Sequence, residues 1–268
     1  MQTVLEHVFV NMPWGHLHRH RELVLALRIN VEIGFSAEDL DSVSLDEIAA
    51  EVDRIRRRGC RITVHGPFWD LCTGSIDAHI REVSRSRLSR LLEMAEVIRP
   101  AQIVFHTGFD PRHHRGHRNV WIENSLSVWE PLVRRAEKLN IPLLVENVWE
   151  ETPEVHLSLF EKLRSQWFGF CLDTGHQNAF SKTALSVWLE TMGPFLKEIH
   201  VHDNDGSFDH HQPVGTGSID FNLLFGFLRE KGLSPVVTLE PHTEENLYRT
   251  VAALGELACF RNFIAKSD

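Results

Sequence analysis

The sequence of 268 residues predicts an α/β protein of the (β/α)8 TIM-barrel class, organised as a single domain over residues 1–268. Three observations carry that prediction. Short apolar runs alternate eight times with longer amphipathic segments. The runs are apolar on successive residues, as at Ile103, Val104 and Phe105, which suits parallel strands covered on both faces. No linker or low-complexity stretch divides them, and 43% hydrophobic content is enough to fill one large core.

In chain order, the first strand is expected over Val4–Val10 and its helix over Leu17–Arg28. The second strand, Asn30–Phe35, carries Glu32, and the helix Leu45–Arg58 places Leu45, Ile48, Val52 and Ile55 at helical spacing. Arg61–His65 is the third strand, stopped by Gly66 and Pro67, and Asp77 is positioned to cap a helix running to Arg99. Ala101–His106 is the fourth, closed by Thr107 and Gly108. A loop rich in arginine and histidine, Arg112–Arg118, then leads to the helix Val120–Leu139. Strands Ile141–Asn147, Phe168–Asp173, Lys197–His202 and Ser234–Glu240 complete the barrel. Their helices are expected over Pro153–Gln166, Lys182–Met192, Phe221–Lys231 and Glu244–Ala265.

Function in such a barrel sits at the C-terminal ends of the strands. Strands three to eight end in His65, His106, Glu146, Asp173, His200 and Glu240. One such residue is ordinarily a cap or a rim hydrogen-bonder. Six in register point to a cation, because clustered carboxylates repel one another unless neutralised. Two loops extend the set: His176 lies three residues past Asp173, and Asp209 with His211 follows strand seven in a stretch dense in imidazole and carboxylate. Nitrogen and oxygen donors of this kind suit a divalent first-row metal.

The remaining composition mainly excludes. A formal net charge of −9 disfavours a broad nucleic-acid or anionic-membrane surface. No long apolar run reads as a membrane span, and the N-terminus lacks a basic segment followed by an apolar one. The four cysteines are far apart with no C-x-x-C pair, so a disulfide framework is not expected and a cytoplasmic location is. Phosphate-cradling loops, dinucleotide fingerprints and serine-nucleophile motifs are missing. A homo-oligomer is compatible with the sequence but not specified by it.

Taken together, His65-Gly-Pro-Phe68, Val104-Phe-His106-Thr-Gly108, Leu144-Val-Glu146-Asn147, Cys171-Leu-Asp173-Thr-Gly-His176, His200-Val-His-Asp-Asn204 and Asp209-x-His211-x-Pro-x-Gly215-x-Gly217 resemble the xylose isomerase-like barrel superfamily. That superfamily groups sugar and sugar-phosphate isomerases and epimerases with abasic-site nucleases of the endonuclease IV type. The epimerase branch implies one divalent metal on Glu146, Asp173, His200 and Glu240, with the two glutamates also transferring the proton. The nuclease branch implies three zinc ions. One sits on His65 and His106 with Glu146 bridging, one on the four central residues, and one on His176, Asp209 and His211. The expected cofactor is therefore Zn2+ or Mn2+, one to three ions.

The expected reaction is isomerisation or epimerisation of a carbohydrate through an enediolate, with trinuclear zinc phosphoester hydrolysis as the alternative. Catalytic roles fall to Glu146, Glu240 and His176. Substrate contacts are expected from His202, Phe68, Trp69, Trp149 and Arg112. Phe68 and Trp69 stand where the nuclease type has a tyrosine–leucine wedge, and acidic Asp70, Glu150 and Glu151 suit a phosphate backbone poorly.

Overall fold

The computed structural model describes residues 2–265, so residue 1 and residues 266–268 of the expected domain lie outside the described residues. Eight parallel strands close into a barrel in chain order, β1 pairing with both β2 and β8. They are β1 Phe9–Pro13, β2 Asn30–Gly34, β3 Ile62–His65, β4 Ile103–His106, β5 Leu143–Glu146, β6 Phe168–Asp173, β7 Leu196–Val201 and β8 Val236–Leu239. The helices are α1 Gln2–His7, α2 Trp14–Leu27, α3 Ala37–Ser42, α4 Leu45–Arg57, α5 Ala78–Ile98, α6 Pro111–His114 and α7 Arg118–Leu139. There follow α8 Glu154–Lys162, α9 Thr174–Phe180, α10 Leu185–Met192, α11 Phe221–Lys231, α12 Glu244–Glu256 and α13 Ala258–Ile264. No described helix is long and apolar enough to cross a membrane.

Helix starts follow their capping chemistry. Ser36 with Asp39 and Ser44 with Glu47 form reciprocal capping boxes on α3 and α4. Asp77 caps α5, accepting from the His79 backbone N–H at 2.7 Å. The main core lies between barrel and helices and includes Phe105, Trp129, Phe170 and Trp188. Inside the barrel, apolar packing shrinks to Val104, Leu144 and Cys171. Each lies two residues before a rim residue and so shares its face.

Four segments differ from expectation, one being the helix expected over Glu244–Ala265, which extended backbone at Leu257 breaks into α12 and α13. Residues predicted as a strand over Val4–Val10 instead form α1, with the strand displaced to β1. Val4, Leu5 and Val8 are all buried, and a helix with its exit brings them to one side. Asn30 pins this turn, its amide N–H reaching Val8 O at 3.0 Å. Beyond β6, α9 begins at once, ahead of the predicted Lys182–Met192 helix, because Asp173 caps it. The Arg112–Arg118 loop is mostly helical, formed by α6 and a 3-10 turn at Arg115–His117.

Candidate metal centre

Glu146, at the end of β5, is the buried hub of the rim. Around its Oε2 stand His65 Nε2 at 3.2 Å, His106 Nε2 at 3.4 Å and His200 Nδ1 at 3.4 Å. Its Oε1 lies 2.9 Å from His176 Nδ1. Burial alone would raise this carboxyl, but the fields of His106 and His200 outweigh burial and hold it well below the usual range. His65 shows the reciprocal effect: burial opposes its charge, yet the bond to Glu146 pushes it up to about 8.

Asp173 comes to the rim from β6. Its Oδ1 accepts the His176 backbone N–H at 2.6 Å, fixing the start of α9. His202 Nε2 lies 3.1 Å from Asp173 Oδ2, whereas His200 Nδ1 is 4.0 Å away. Asn147 clamps the two strand ends: its amide donates to Asp173 O at 3.0 Å, and its Oδ1 accepts the Asp173 N–H at 2.9 Å. From β8, Glu240 places Oε1 3.2 Å from His200 Nδ1 and Oε2 3.8 Å from both His202 Nε2 and His211 Nδ1.

The outer group is equally close. Asp209 Oδ2 stands 3.3 Å from His176 Nε2 and 3.0 Å from His211 Nε2, and its Oδ1 lies 3.6 Å from His202 Nδ1. Burial would raise Asp209, but the bonds from His176 and His211 hold it far below the carboxylate range. His211 adopts φ 47°, an uncommon left-handed conformation for a side-chain-bearing residue.

The loop is held there by Asp203, whose Oδ2 accepts the N–H groups of Gly215 and Gly217, each at 2.9 Å. A Cβ at Gly217 would lie 2.2 Å from Asn204 O, so only glycine fits. Asp203→Ala removes the buried carboxylate that both N–H groups donate to, and hydrogen bonds to a charged group are worth about 1.5–3 kcal/mol. The substitution is expected to speed hydrogen exchange across residues 203–219 while the barrel strands stay protected. Unchanged exchange would sink this reading of Asp203.

The aromatic and basic residues are distributed unevenly. Phe68 stacks on His106 with centroids 4.5 Å apart and so walls the centre directly. Trp69 is 77% exposed and touches Phe68. Trp149 packs on Phe180 and carries the Arg112 guanidinium over its ring at 4.8 Å. Arg112 is bound to Asp110 at 2.7 Å, Arg115 to Glu151 at 2.6 Å, and Arg118 to Glu154. The basic segment is thus neutralised locally. An open cavity of about 460 Å³ beside it, lined by Arg115, Arg118, Glu150 and Glu151, does not include the histidine cluster.

The donor set fits divalent metal. Nδ1 and Nε2 of His200, Nδ1 of His202 and Oδ1 of Asp209 are buried without a hydrogen bond, although potential ligands surround them. Groups within metal-sharing distance include His65/His106/Glu146, Glu146/Asp173/His176 and His202/His211/Glu240. Sequence reasoning set His202 among substrate contacts and gave no role to His242, which stacks on His211 at 3.9 Å. The His200/His202 alternation was the available signal, since both project to one strand face.

The family model described as xylose isomerase-like TIM barrel matches residues 30–261, which takes in β2 to β8 and every residue of the cluster. The chain belongs to this family. An uncharacterized protein of Methanocaldococcus jannaschii is 29% identical over 186 residues, 67% of this chain. The match spans 64% of that relative, just under two thirds of its length. Among solved structures, a Thermus thermophilus protein soaked with ZnCl2 is 28% identical, with TM-score 0.74 over 94% of this chain and 99% of its own. A D-tagatose 3-epimerase-like protein shares the fold at 21% identity, with TM-score 0.77 over 97% of this chain and 100% of its own.

Proposed function

We propose that the protein is a divalent-metal-dependent isomerase or epimerase of a small sugar or sugar phosphate, transferring a proton through an enediolate. One observation carries the reading. Glu146 from β5 and Glu240 from β8 reach the same buried point, 3.4 and 3.2 Å from His200 Nδ1, so two carboxylates border one space from different sides of the barrel. A carbon acid held between them has a base to take its proton and an acid to return one. The D-tagatose 3-epimerase-like neighbour supports the same class of substrate.

Glu146, Asp173, His202 and Glu240 would hold the central ion; His202 is assigned there because it lies nearer Asp173 than His200 does. When bound, a divalent cation supplies Lewis acidity to adjacent carbonyl and hydroxyl oxygens. Phe68 covers an apolar sugar face and excludes water. His176, its backbone held by Asp173 and its Nε2 3.3 Å from Asp209 Oδ2, would share that N–H with an oxygen that gains charge as the proton leaves.

A second reading, zinc-dependent phosphoester hydrolysis, is favoured by the other two donor groups, His65/His106/Glu146 and His176/Asp209/His211, each complete. The ZnCl2 soak of the Thermus relative points to the same metal.

One experiment separates them. The metal-loaded protein is incubated in D2O with a panel of ketoses and their phosphates, and in parallel with small phosphoesters. Deuterium appearing at carbon next to the carbonyl, lost on chelation and restored by Zn2+ or Mn2+, is the expected result. Phosphate release without exchange would overturn the isomerase reading. Chelation is also expected to lower Tm, since an ion bound only by the folded state stabilises it by mass action.

A further inference from the structure

One layer below the rim, the barrel interior contains a second cluster that the proposed reaction does not use. Barrel interiors are ordinarily filled by branched apolar side chains. Here β2 contributes Glu32 and β7 contributes Glu198 and His200, all fully buried. His200 Nε2 lies 3.3 Å from Glu32 Oε1 and 3.8 Å from Glu198 Oε1, and one donor atom from each of the three falls within 4.8 Å of the others.

We infer that Glu32, Glu198 and His200 Nε2 form a separate divalent-cation site in the barrel floor. Three observations support it. First, both carboxylates are served by donors on their remaining lone pairs. Glu32 accepts from Asn11 Nδ2 at 2.8 Å and Thr63 Oγ1 at 3.5 Å; Glu198 accepts from Gln102 Nε2 at 2.6 Å and Thr238 Oγ1 at 2.5 Å. The Gln102 amide is also oriented by Lys197 O, 3.4 Å from the same nitrogen. Outer partners of this kind orient metal ligands; burial beside Glu32 pushes the Glu198 carboxyl up to about 8, and a bound cation would displace that proton. Second, His200 Nε2 is buried between the two without hydrogen-bond geometry to either. A ring N–H aimed at a carboxylate would have that geometry; a lone pair aimed at an ion between them would not. Third, the 3.3 Å from His200 Nε2 to Glu32 Oε1 matches the donor spacing of a shared ion, and the 3.8 Å to Glu198 Oε1 is half an ångström longer. Ligand bonds of about 2.0–2.1 Å at a tetrahedral ion put donor atoms roughly 3.3 Å apart.

Two carboxylates and one neutral imidazole balance one divalent charge, which removes the repulsion of two acids in a dry interior. His200 then faces two ways. Nε2 binds the floor ion, and Nδ1 faces Glu240 Oε1 at 3.2 Å on the rim side. His202 is left to serve the rim. The floor ion would set the height and tilt of the His200 ring against which Glu146 and Glu240 rest. Its role is structural and positioning.

The test is anomalous diffraction at the zinc edge from wild-type crystals loaded with Zn2+ alone. A peak within bonding distance of His200 Nε2 and the carboxylates of Glu32 and Glu198, separate from any at Glu146 or Asp173, is expected. Peaks confined to the rim would overturn the floor site and leave the rim reading standing. A floor peak alone would uphold the inference and remove the rim metals. In solution, the Glu32→Gln/Glu198→Gln double variant is expected to retain one equivalent fewer of tightly bound zinc by mass spectrometry. Asp209→Asn keeps the floor equivalent. An unchanged zinc count in the folded double variant overturns the proposal, and if that variant does not fold, the wild-type crystals decide.

Discussion

Glu146→Gln is expected to lower solvent-deuterium exchange by roughly 10²–10⁴-fold, the usual contribution of a positioned acid or base. It is also expected to cost more bound metal than any other rim substitution. The amide fills the same space but carries no charge. His65, His106, His176 and His200 all stand within 3.4 Å of the Glu146 oxygens, so its removal strips one partner from every one of them. Glu240→Gln provides the contrast. Its oxygens approach His200, His202 and His211 but not His65 or His106. It should lose exchange to a similar degree while metal on the His65/His106 side is retained. Measuring kcat beside metal content separates the two roles. Wild-type exchange in Glu146→Gln would remove this residue from the proton path and the carboxylate-pair reading with it.

Much of this was legible in the sequence because a parallel barrel writes its chemistry at strand ends. Apolar runs closing on His65, His106, Glu146 and Asp173 located both the strands and the rim. The first strand was harder. Val4, Leu5 and Val8 read equally as strand or helix, while Asn11 and Pro13 hide β1 behind polar and helix-breaking residues. Ligand height was also hidden. His200 and His202 alternate onto one face, but which of them reaches Asp173 depends on stagger, and the β6–β7 register shifts between Phe170 and Cys171. No local pattern encodes that shift. Glu32 and Glu198 lie far apart in the chain and meet only because closure brings β2 and β7 to a common interior. The sequence suggests Arg112 as a substrate contact; in the fold it pairs with Asp110, as Arg115 and Arg118 pair with Glu151 and Glu154.

Gly175→Ala is expected to be the most damaging change that removes no functional group. A Cβ at this position would lie 1.8 Å from His202 Cε1 and 2.4 Å from its Nδ1, so the ring must move. The backbone has little freedom to yield instead. Gly175 O accepts from Asn204 Nδ2 at 2.9 Å, and the neighbouring Thr174 hydroxyl bonds His200 O and His202 O at 3.0 and 3.1 Å. The ring has no free side either: His202 stacks on His211 at 3.8 Å, and His211 on His242 at 3.9 Å. Overpacking of this kind costs about 1–3 kcal/mol, which lowers Tm by several degrees in a protein of this size. Exchange activity and central metal should fall together, because His202 leaves Asp173 and drags His211 from Asp209. Adding His202→Ala to Gly175→Ala makes room for the methyl, so Tm should recover relative to Gly175→Ala while activity and central metal stay lost. Normal metal content in Gly175→Ala would mean that His202 holds no ion at the rim. The central position would then return to His200, and its Nδ1 would face the metal in place of a carboxylate.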